Sequence, residues 1–268
     1  MEKKKIYLAG SFFDFRDKII SELSYKYEFA DPRRNRQHSI ATSVVDDMKG
    51  VEECPIMLAC FPKGKPRGTA TYAEIGGSRA EGKYIIIADE TDKRDNFLDS
   101  ISDYNPDRIE DAINFLKNNN PRRDPSRAIT KKQNKDNKLR IFLATNINYF
   151  VDIEKVYQND ENKILMYGDF GNLKNFGNVD LTVAHFPEGK DRDRKAIFFM
   201  GLSYALEIPS IVIDENIVLY PPLEGLAKRN FPYKPAGLDY LVNLKSLEIE
   251  KESKVYYWVS DKYNILKD

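Results

Sequence analysis

Two stretches of this chain repeat each other without a gap. Residues 57–89 align with residues 182–214 at a constant offset of 125, and eleven of the 33 aligned positions are identical. Both stretches contain F-P-x-G-K-x-R, and both have the pattern of an apolar strand, a loop, a helix and a second apolar strand. We therefore expect a tandem duplication of one α/β unit, in which strands alternate with helices.

The rest of the chain follows the same alternation. Short continuous apolar runs are typical of buried parallel strands, and apolar residues three and four apart are typical of helices. The predicted strands cover residues 3–10, 55–61, 84–88 and 139–145, and the predicted helices cover residues 17–27, 71–82 and 107–118. The pattern predicts an α/β fold of two flavodoxin-like domains, each a doubly wound parallel sheet, packed as a pseudo-dimer.

The domain boundaries are expected in the polar middle of the chain. Residues 118–138 contain prolines and many charges but no apolar periodicity, which is typical of a linker or an exposed loop. The predicted domains are residues 1–118 and 139–268, with residues 119–138 between them.

Composition narrows the class of function. The chain has 42 Lys and Arg against 42 Asp and Glu, so its net charge draws it neither to polymeric nucleic acid nor to an anionic membrane. No signal peptide and no membrane-spanning run is predicted. Cys54 and Cys60 match no disulfide or zinc pattern, and His38 and His185 have no partners at ligand spacing. We expect a cytoplasmic protein with no metal and no cofactor.

Three segments of the first half carry residues suited to chemistry. Gly10 and Ser11 end the first strand and precede two aromatic residues, at the end of a parallel strand where α/β sheets bind ligands. Asp47 lies before the second apolar run. A glycine–threonine loop, Gly68-Thr69, leads into a helix that contains Glu74.

In order and spacing, these motifs resemble the nucleoside 2-deoxyribosyltransferase family. The resemblance covers residues 5–118, with a faded copy at 139–215. The loop before Glu74 is also similar to that of phosphoribohydrolases that release cytokinin bases. The matching segments are Gly10-Ser-Phe-Phe, Asp47-Met-Lys-Gly-Val, Glu74-Ile-Gly and Gly82-Lys-Tyr.

The resemblance implies roles for named residues. Glu74 would attack the anomeric carbon to form a covalent glycosyl-enzyme, and Asp47 would protonate the leaving base. The amides of Gly68 and Thr69 would bind an anionic or hydroxyl group at the helix amino terminus. The remaining residues expected to bind substrate are Gly10, Ser11, Phe12, Phe13, Asp31, Arg33 and Gly76.

Each role has a structural alternative. A glutamate early in a helix also complements the helix dipole. Asp47 would otherwise be a helix cap or a solvated charge, and Phe12 and Phe13 would be core residues. The Asp31–Arg33 segment would otherwise be an exposed turn.

The chain departs from the family pattern in two places. Gly68 stands where the transferases typically carry an acidic residue, and Lys65 and Arg67 lie on the same loop, so we expect a 5′-phosphate to be favoured unless these cations point into solvent. In the second half, Phe199 replaces Glu74, and Asn172 loosely replaces Asp47. The second half is therefore expected to be catalytically inactive and to act as a built-in neighbour of the first.

Three functions remain open from the sequence. The first is cleavage or transfer at the N-glycosidic bond of a 2-deoxyribonucleoside or its 5′-monophosphate. The second is hydrolysis of that bond with water as acceptor, and the third is a nucleotide-binding sensor without turnover. In each, the partner is a small nucleoside or nucleotide, and homo-oligomerisation is left open.

Overall fold

The structure is a computed structural model, and it describes residues 3–11, 15–34, 40–133, 136, 138–144, 155, 160–167, 170–216 and 220–244. Its first sheet is parallel and has the strand order β2-β1-β3-β4. The strands are β1 (Lys4–Gly10), β2 (Tyr27–Ala30), β3 (Ile56–Phe61) and β4 (Tyr84–Asp89). The helices are α1 (Phe15–Leu23), α2 (Ile40–Glu53), α3 (Thr69–Ala80), α4 (Asn96–Ile101) and α5 (Ile109–Asn118).

The second sheet is also parallel, with the strand order β6-β5-β7-β8-β9. Its strands are β5 (Leu139–Leu143), β6 (Lys163–Tyr167), β7 (Leu181–Phe186), β8 (Ser210–Asp214) and β9 (Arg229–Phe231). A 3-10 helix covers Phe170–Asn178, and the α-helices are α6 (Arg194–Ala205), α7 (Pro221–Leu226) and α8 (Lys234–Asn243). In the first sheet, a single bridge between Ile86 and Tyr104 lies where β9 lies in the second.

These strand orders confirm the predicted α/β class with two doubly wound parallel sheets. One helix boundary was wrong: α1 ends at Leu23, and Tyr27 of the predicted helix begins β2 instead. Helix α2, which carries Asp47, was not predicted. None of the helices in the described ranges has the length and hydropathy of a bilayer span.

Apolar side chains lie on both faces of each sheet. Helices α1 and α5 cover the outer face of the first sheet, and α8 packs against the outer face of the second. The inner faces share one continuous core with α2, α3, α6 and α7. The two halves are therefore packed together through their inner helices.

Helices α3 and α6 meet through a reciprocal pair of glycines. A methyl group placed on Gly76 would collide with the carbonyl oxygen of Phe198, and one placed on Gly201 would collide with that of Ala73. Gly76 and Gly201 are 125 residues apart, and so are Ala73 and Phe198. The contact is therefore self-complementary, like an interface across a two-fold axis.

Other contacts recur at the same offset. In each half, an arginine from the loop after the third strand pairs with the aspartate that ends the fourth strand. In each half, the glutamate that follows this aspartate accepts a hydrogen bond from the first backbone amide of the last helix. These contacts are Arg67–Asp89 at 2.6 Å and Arg192–Asp214 at 2.8 Å, then Glu90–Ile109 at 2.9 Å and Glu215–Lys234 at 3.3 Å.

The segment that joins the halves is bound along its described part. The amide of Asp124 donates to Gly82, that of Ile129 to Ala80 and that of Lys132 to Gly177. Ile129 is buried. The connection therefore packs first on the end of α3 and then on the second half.

Candidate active site

The carboxyl group of Glu74 lies inside the first half, against β1. Its side chain leaves the second turn of α3, and its Oε1 accepts a hydrogen bond of 2.8 Å from the Tyr7 hydroxyl. Tyr7 is 1% exposed and Glu74 is 5% exposed. A carboxyl group with so little water around it is costly to ionise, so its neighbours decide its charge.

Asp47 is the acidic neighbour of this pair. It is buried on α2, three residues before Gly50, against which the Tyr7 ring packs. Burial raises the pKa of Glu74 to about 8, and the charge of Asp47 acts in the same direction; the bond from Tyr7 and the charge of Arg16 oppose this rise. At neutral pH Glu74 therefore keeps its proton, next to the negative charge of Asp47.

Two loops meet above these carboxyl groups. Gly10 ends β1 with φ of +116°, and a methyl group on it would collide with the Cys60 carbonyl of β3. Ser11 follows, and its Oγ lies 4.0 Å from where a Cβ on Gly68 would be. Gly68 precedes α3 directly. The predicted residues Gly10, Ser11, Gly68 and Thr69 are therefore brought together at the carboxyl edge of the sheet.

The buried Arg16 side chain holds the turn after β1 in place through hydrogen bonds. Its guanidinium donates to the carbonyls of Leu8 and Gly10, at 2.7 and 2.5 Å, and to Asp31 at 2.8 Å. Asp31 also accepts from Arg33, which reaches Asp17 as well. Burial would raise the pKa of Asp31, but the bond from Arg33 and the charge of Arg16 outweigh it and lower the pKa.

Asp31 and Arg33 were predicted to bind substrate. The structure places both in this ion-pair network, where Asp31 is almost fully buried. A buried ion pair is costly to break, so both residues support the turn, and their contact with a substrate stays a prediction.

The loop cation Arg67 also departs from its predicted role. It was expected to favour a 5′-phosphate or to point into solvent. Instead its guanidinium donates to Asp89 at 2.6 Å, to Thr91 Oγ1 and to the Lys93 carbonyl. Since Arg192 makes the equivalent bond to Asp214, this contact belongs to the shared fold and gives no support for a phosphate site.

Gly76 was predicted to bind substrate, but it faces α6, where its missing side chain permits the close contact with Phe198. Its role is therefore helix packing. Phe12, Phe13 and His38 lie outside the described residues. His185 is hydrogen-bonded to Glu215 at 2.8 Å in the second half. Within the described ranges, no group of three or more His, Cys, Asp or Glu residues is placed to hold a metal ion.

Two tyrosines in the site were missed from the sequence. Tyr7 lies within the predicted strand 3–10 and was not singled out, although its hydroxyl donates to Glu74. Tyr220 comes from the second half, just before α7, and its hydroxyl is hydrogen-bonded to the Thr69 side chain and the Ala70 backbone at the start of α3. No sequence signal connects Tyr220 with the first half.

In the second half, the hydrogen-bonded pair is replaced by two phenylalanines. Phe142 pairs with Thr182 in the register in which Tyr7 pairs with Met57, and Phe199 stands at the position of Glu74. The rings of Phe142 and Phe199 are 4.6 Å apart, and Phe176 of the 3-10 helix packs on both. Asn172 lies in that same 3-10 helix. This position of the second half is therefore filled by apolar rings.

Replacing Phe199 by alanine should consequently affect stability more than chemistry. Phe199 is 3% exposed, and removing a buried ring of this kind costs about 3 kcal/mol or more. Urea unfolding measures this cost, with Phe199→Leu as the control that keeps most of the apolar volume. A large loss of turnover at unchanged stability would instead show that the second half takes part in the chemistry.

Comparisons with known proteins show only distant similarity. No family model matches the chain, and no curated protein matches it. A solved structure of the 2-deoxyribosyltransferase from the psychrotolerant bacterium Bacillus psychrosaccharolyticus is similar to it, with 18% identity and a TM-score of 0.36, over 41% of this chain and 90% of that one. The C-terminus of Escherichia coli RcsC, with a linker region and a phosphoreceiver domain, is similar at 10% identity and a TM-score of 0.31, over 95% and 96%. Similarity at this level assigns no activity.

Proposed function

We propose that this protein cleaves the N-glycosidic bond of a 2-deoxyribonucleoside or its 5′-monophosphate through a covalent intermediate on Glu74. The observation that most supports this is a buried carboxyl group that accepts a bond from Tyr7, beside a second buried carboxyl group, below the loops at the carboxyl edge of the sheet. A nucleophile and an acid are the two groups that such a displacement needs.

The proposed reaction uses the shared proton of the two carboxyl groups. In the reactive form, Glu74 carries the charge and Asp47 the proton. The Glu74 oxygen bonds to the anomeric carbon, the carbon–nitrogen bond breaks, and the base leaves with the proton from Asp47. The nitrogen of a second base, or the oxygen of water, then bonds to the anomeric carbon, the bond to Glu74 breaks to restore the carboxylate, and the proton that the acceptor loses returns to Asp47.

The second half supports the first in this proposal. We infer a tandem duplication from the aligned motifs, the equivalent ion pairs and the reciprocal glycine contact. The copy that has Phe142 and Phe199 lacks both members of the Tyr7–Glu74 pair, so turnover is assigned to residues 1–118 alone. Residues 139–268 would then serve as a fused neighbour.

Base release measures the proposed function directly. The protein is incubated with a panel of deoxynucleosides and their 5′-monophosphates, with and without a second free base, and the products are separated by chromatography. A new nucleoside indicates transfer, and free base and sugar without a new nucleoside indicate hydrolysis. Binding without any product would favour a sensor and contradict the proposed chemistry.

The pH dependence of turnover follows from the raised pKa of Glu74. The reactive form holds one proton on the two carboxyl groups, with Glu74 ionised and Asp47 protonated, so kcat/KM at saturating second base should fall as the pH rises through about 8, where both groups become ionised. The bond from Tyr7 lowers the pKa of Glu74. Tyr7→Phe should therefore shift this fall to higher pH and reduce kcat/KM at pH 7 by roughly tenfold, the effect of about one pKa unit, because fewer molecules then have Glu74 ionised and Asp47 protonated.

The matched control for Tyr7→Phe is Tyr27→Phe, which removes a hydroxyl that donates to backbone carbonyls at the end of α5. That variant should keep the wild-type pH profile. An unchanged profile in Tyr7→Phe would mean that Glu74 does not titrate in the rate-limiting step.

A further inference from the structure

Two glycines allow α2, the helix that carries Asp47, to lie close to its neighbours in the first half. A methyl group placed on Gly50 of α2 would lie 3.0 Å from the Tyr7 ring on β1. A methyl group placed on Gly77 of α3 would collide with the terminal methyl group of Met48 on α2. Helix α2 is therefore in close contact with β1 at the first glycine and with α3 at the second.

The third contact of this arrangement joins β1 to α3. It is the hydrogen bond of 2.8 Å from the Tyr7 hydroxyl to Glu74. Met48 directly follows Asp47 on α2, and Gly77 lies three residues, or about one helical turn, after Glu74 on α3. The Met48–Gly77 contact therefore sets the spacing of the two helices close to both carboxyl groups.

Met48 has little room to avoid a side chain added on α3. It is 4% exposed and belongs to the core that the two halves share. The Gly201 carbonyl oxygen of α6 lies 3.7 Å from the position of a methyl group on Gly77, so α6 closes that side. Helix α2 also packs against α7 of the second half. Because such a core is close-packed, a methyl group on Gly77 should move Met48 together with its helix.

The aligned position in the second half indicates that the shared fold does not require this glycine. The glycines of the contact between α3 and α6 recur at the offset of 125. Gly77 instead aligns with Leu202, which is fully buried in α6. The repeated unit thus accepts a large side chain at this position in the copy in which Phe199 replaces Glu74. The glycine is found in the copy that has the carboxyl groups.

We propose that Gly77 is a positioning residue, which lets Met48 lie against α3 and thereby holds Asp47 at the distance from Glu74 that proton transfer between base and acid requires. This inference rests on the proposed function, because it concerns the same two carboxyl groups. Gly77 acts through Met48 and α2 and is assigned no contact with the substrate.

The pKa of Glu74 reports on this distance. Burial raises the pKa most, followed by the charge of Asp47, whereas the bond from Tyr7 and the charge of Arg16 lower it. The charge of Glu74 also acts on Tyr220 of the second half. Of these groups, Asp47 is the one on α2. Moving α2 away from α3 by about 1 Å should therefore weaken the repulsion and lower the pKa of Glu74 by about half a unit.

The test compares the wild type with Gly77→Ala, with Met48→Ala and with the double variant that carries both changes. The full-length protein is labelled with ¹³C at the side-chain carboxyl carbon of glutamate. The Glu74 resonance, identified by its loss in Glu74→Gln, is followed by NMR as the pH is raised, which needs no turnover. Base release and melting temperatures are measured in parallel. The control is Gly64→Ala, since a methyl group on Gly64 would have nothing within 4 Å.

Gly77→Ala should lower the titration midpoint of Glu74 by about half a pH unit and reduce kcat by about tenfold or more, because a displaced acid protonates the leaving base poorly. The double variant lacks the colliding thioether, so it should regain most of both values. Met48→Ala alone and Gly64→Ala should keep the midpoint near that of the wild type. A role in packing alone would lower the melting temperature without moving the midpoint.

Base release with an unchanged midpoint and an unchanged kcat in Gly77→Ala would overturn this inference alone. So would a shift that Met48→Ala does not reverse, because the effect would then not pass through Met48. A reversible shift without turnover in any protein would contradict the proposed chemistry but support the spacing of the two acids. If Gly77→Ala does not fold, a folded double variant supports the collision with Met48, and failure of both variants to fold contradicts it.

Discussion

Glu74→Gln is expected to reduce base release by on the order of a thousandfold or more, because a covalent step cannot proceed without the carboxylate. Glutamine has nearly the same size and can still accept the bond from Tyr7. The fold should therefore be kept. The surface control is Glu53→Gln, since the side chain of Glu53 is 64% exposed, and this variant should keep full activity.

The same substitution should make the protein more stable at neutral and alkaline pH. The pKa of Glu74 is raised from 4.5 to about 8, so between these values the folded protein holds a proton that the unfolded chain releases. Stability therefore falls as the pH rises through this window, and glutamine removes the effect. We expect a gain on the order of 4 kcal/mol at pH 8 and little at pH 4.5. Wild-type turnover in Glu74→Gln would rule out its role as the nucleophile.

Gly76→Ala and Gly201→Ala should each destabilise the protein by about 3 kcal/mol or more, because the added methyl group meets backbone that cannot move away. In each case the blocking atom is a carbonyl oxygen of the partner helix. Urea unfolding monitored by circular dichroism measures the loss. Both variants should show it, because the contact is reciprocal.

Gly64→Ala is the matched control for the glycine contact. Gly64 has a positive φ of 70°, but a methyl group there would have nothing within 4 Å. Its cost is therefore that of the backbone conformation alone, about 1 kcal/mol. If Gly76→Ala cost no more than Gly64→Ala, the close packing of the two halves through α3 and α6 would be wrong.

The fold class followed from the sequence because its signals are local and repeated. Apolar runs such as residues 56–61 and 84–89 are fully or almost fully buried in parallel strands, as their lack of alternation predicted. Helix α2 was missed because its apolar residues are diluted by Asp46, Asp47 and Lys49. The end of α1 was misplaced because Tyr25 and Tyr27 continue an apolar pattern past the actual turn.

The site was predicted only where the residues lie in recognisable segments. The loop residues Gly68 and Thr69 and the turn residues Gly10 and Ser11 do meet, since parallel strands end at one edge of the sheet. Tyr220 could not be predicted, because its contact with Thr69 depends on how the two halves pack. Arg67 was misread because its partner, Asp89, lies 22 residues away on the next strand.

A glycine can allow the close approach of a ligand or the close packing of another helix, and the local sequence does not distinguish these two roles. Gly76 follows Glu74 by two residues, which placed it in the predicted site. However, residues that are two positions apart on a helix point in nearly opposite directions. Gly76 therefore faces α6, while Glu74 faces Tyr7. The glycine at position 201, aligned with Gly76 in a stretch that has no glutamate at the position of Glu74, was the available hint of a packing role.

The most direct test of the proposed mechanism is to detect the sugar on Glu74. The protein is mixed with a deoxynucleoside without a second base and quenched in acid during turnover, and its peptides are analysed by mass spectrometry. We expect one deoxyribosyl group on the peptide that contains Glu74, and none in Glu74→Gln. Base release by the wild type with no such adduct, together with undiminished release by Glu74→Gln, would contradict a covalent intermediate on this residue.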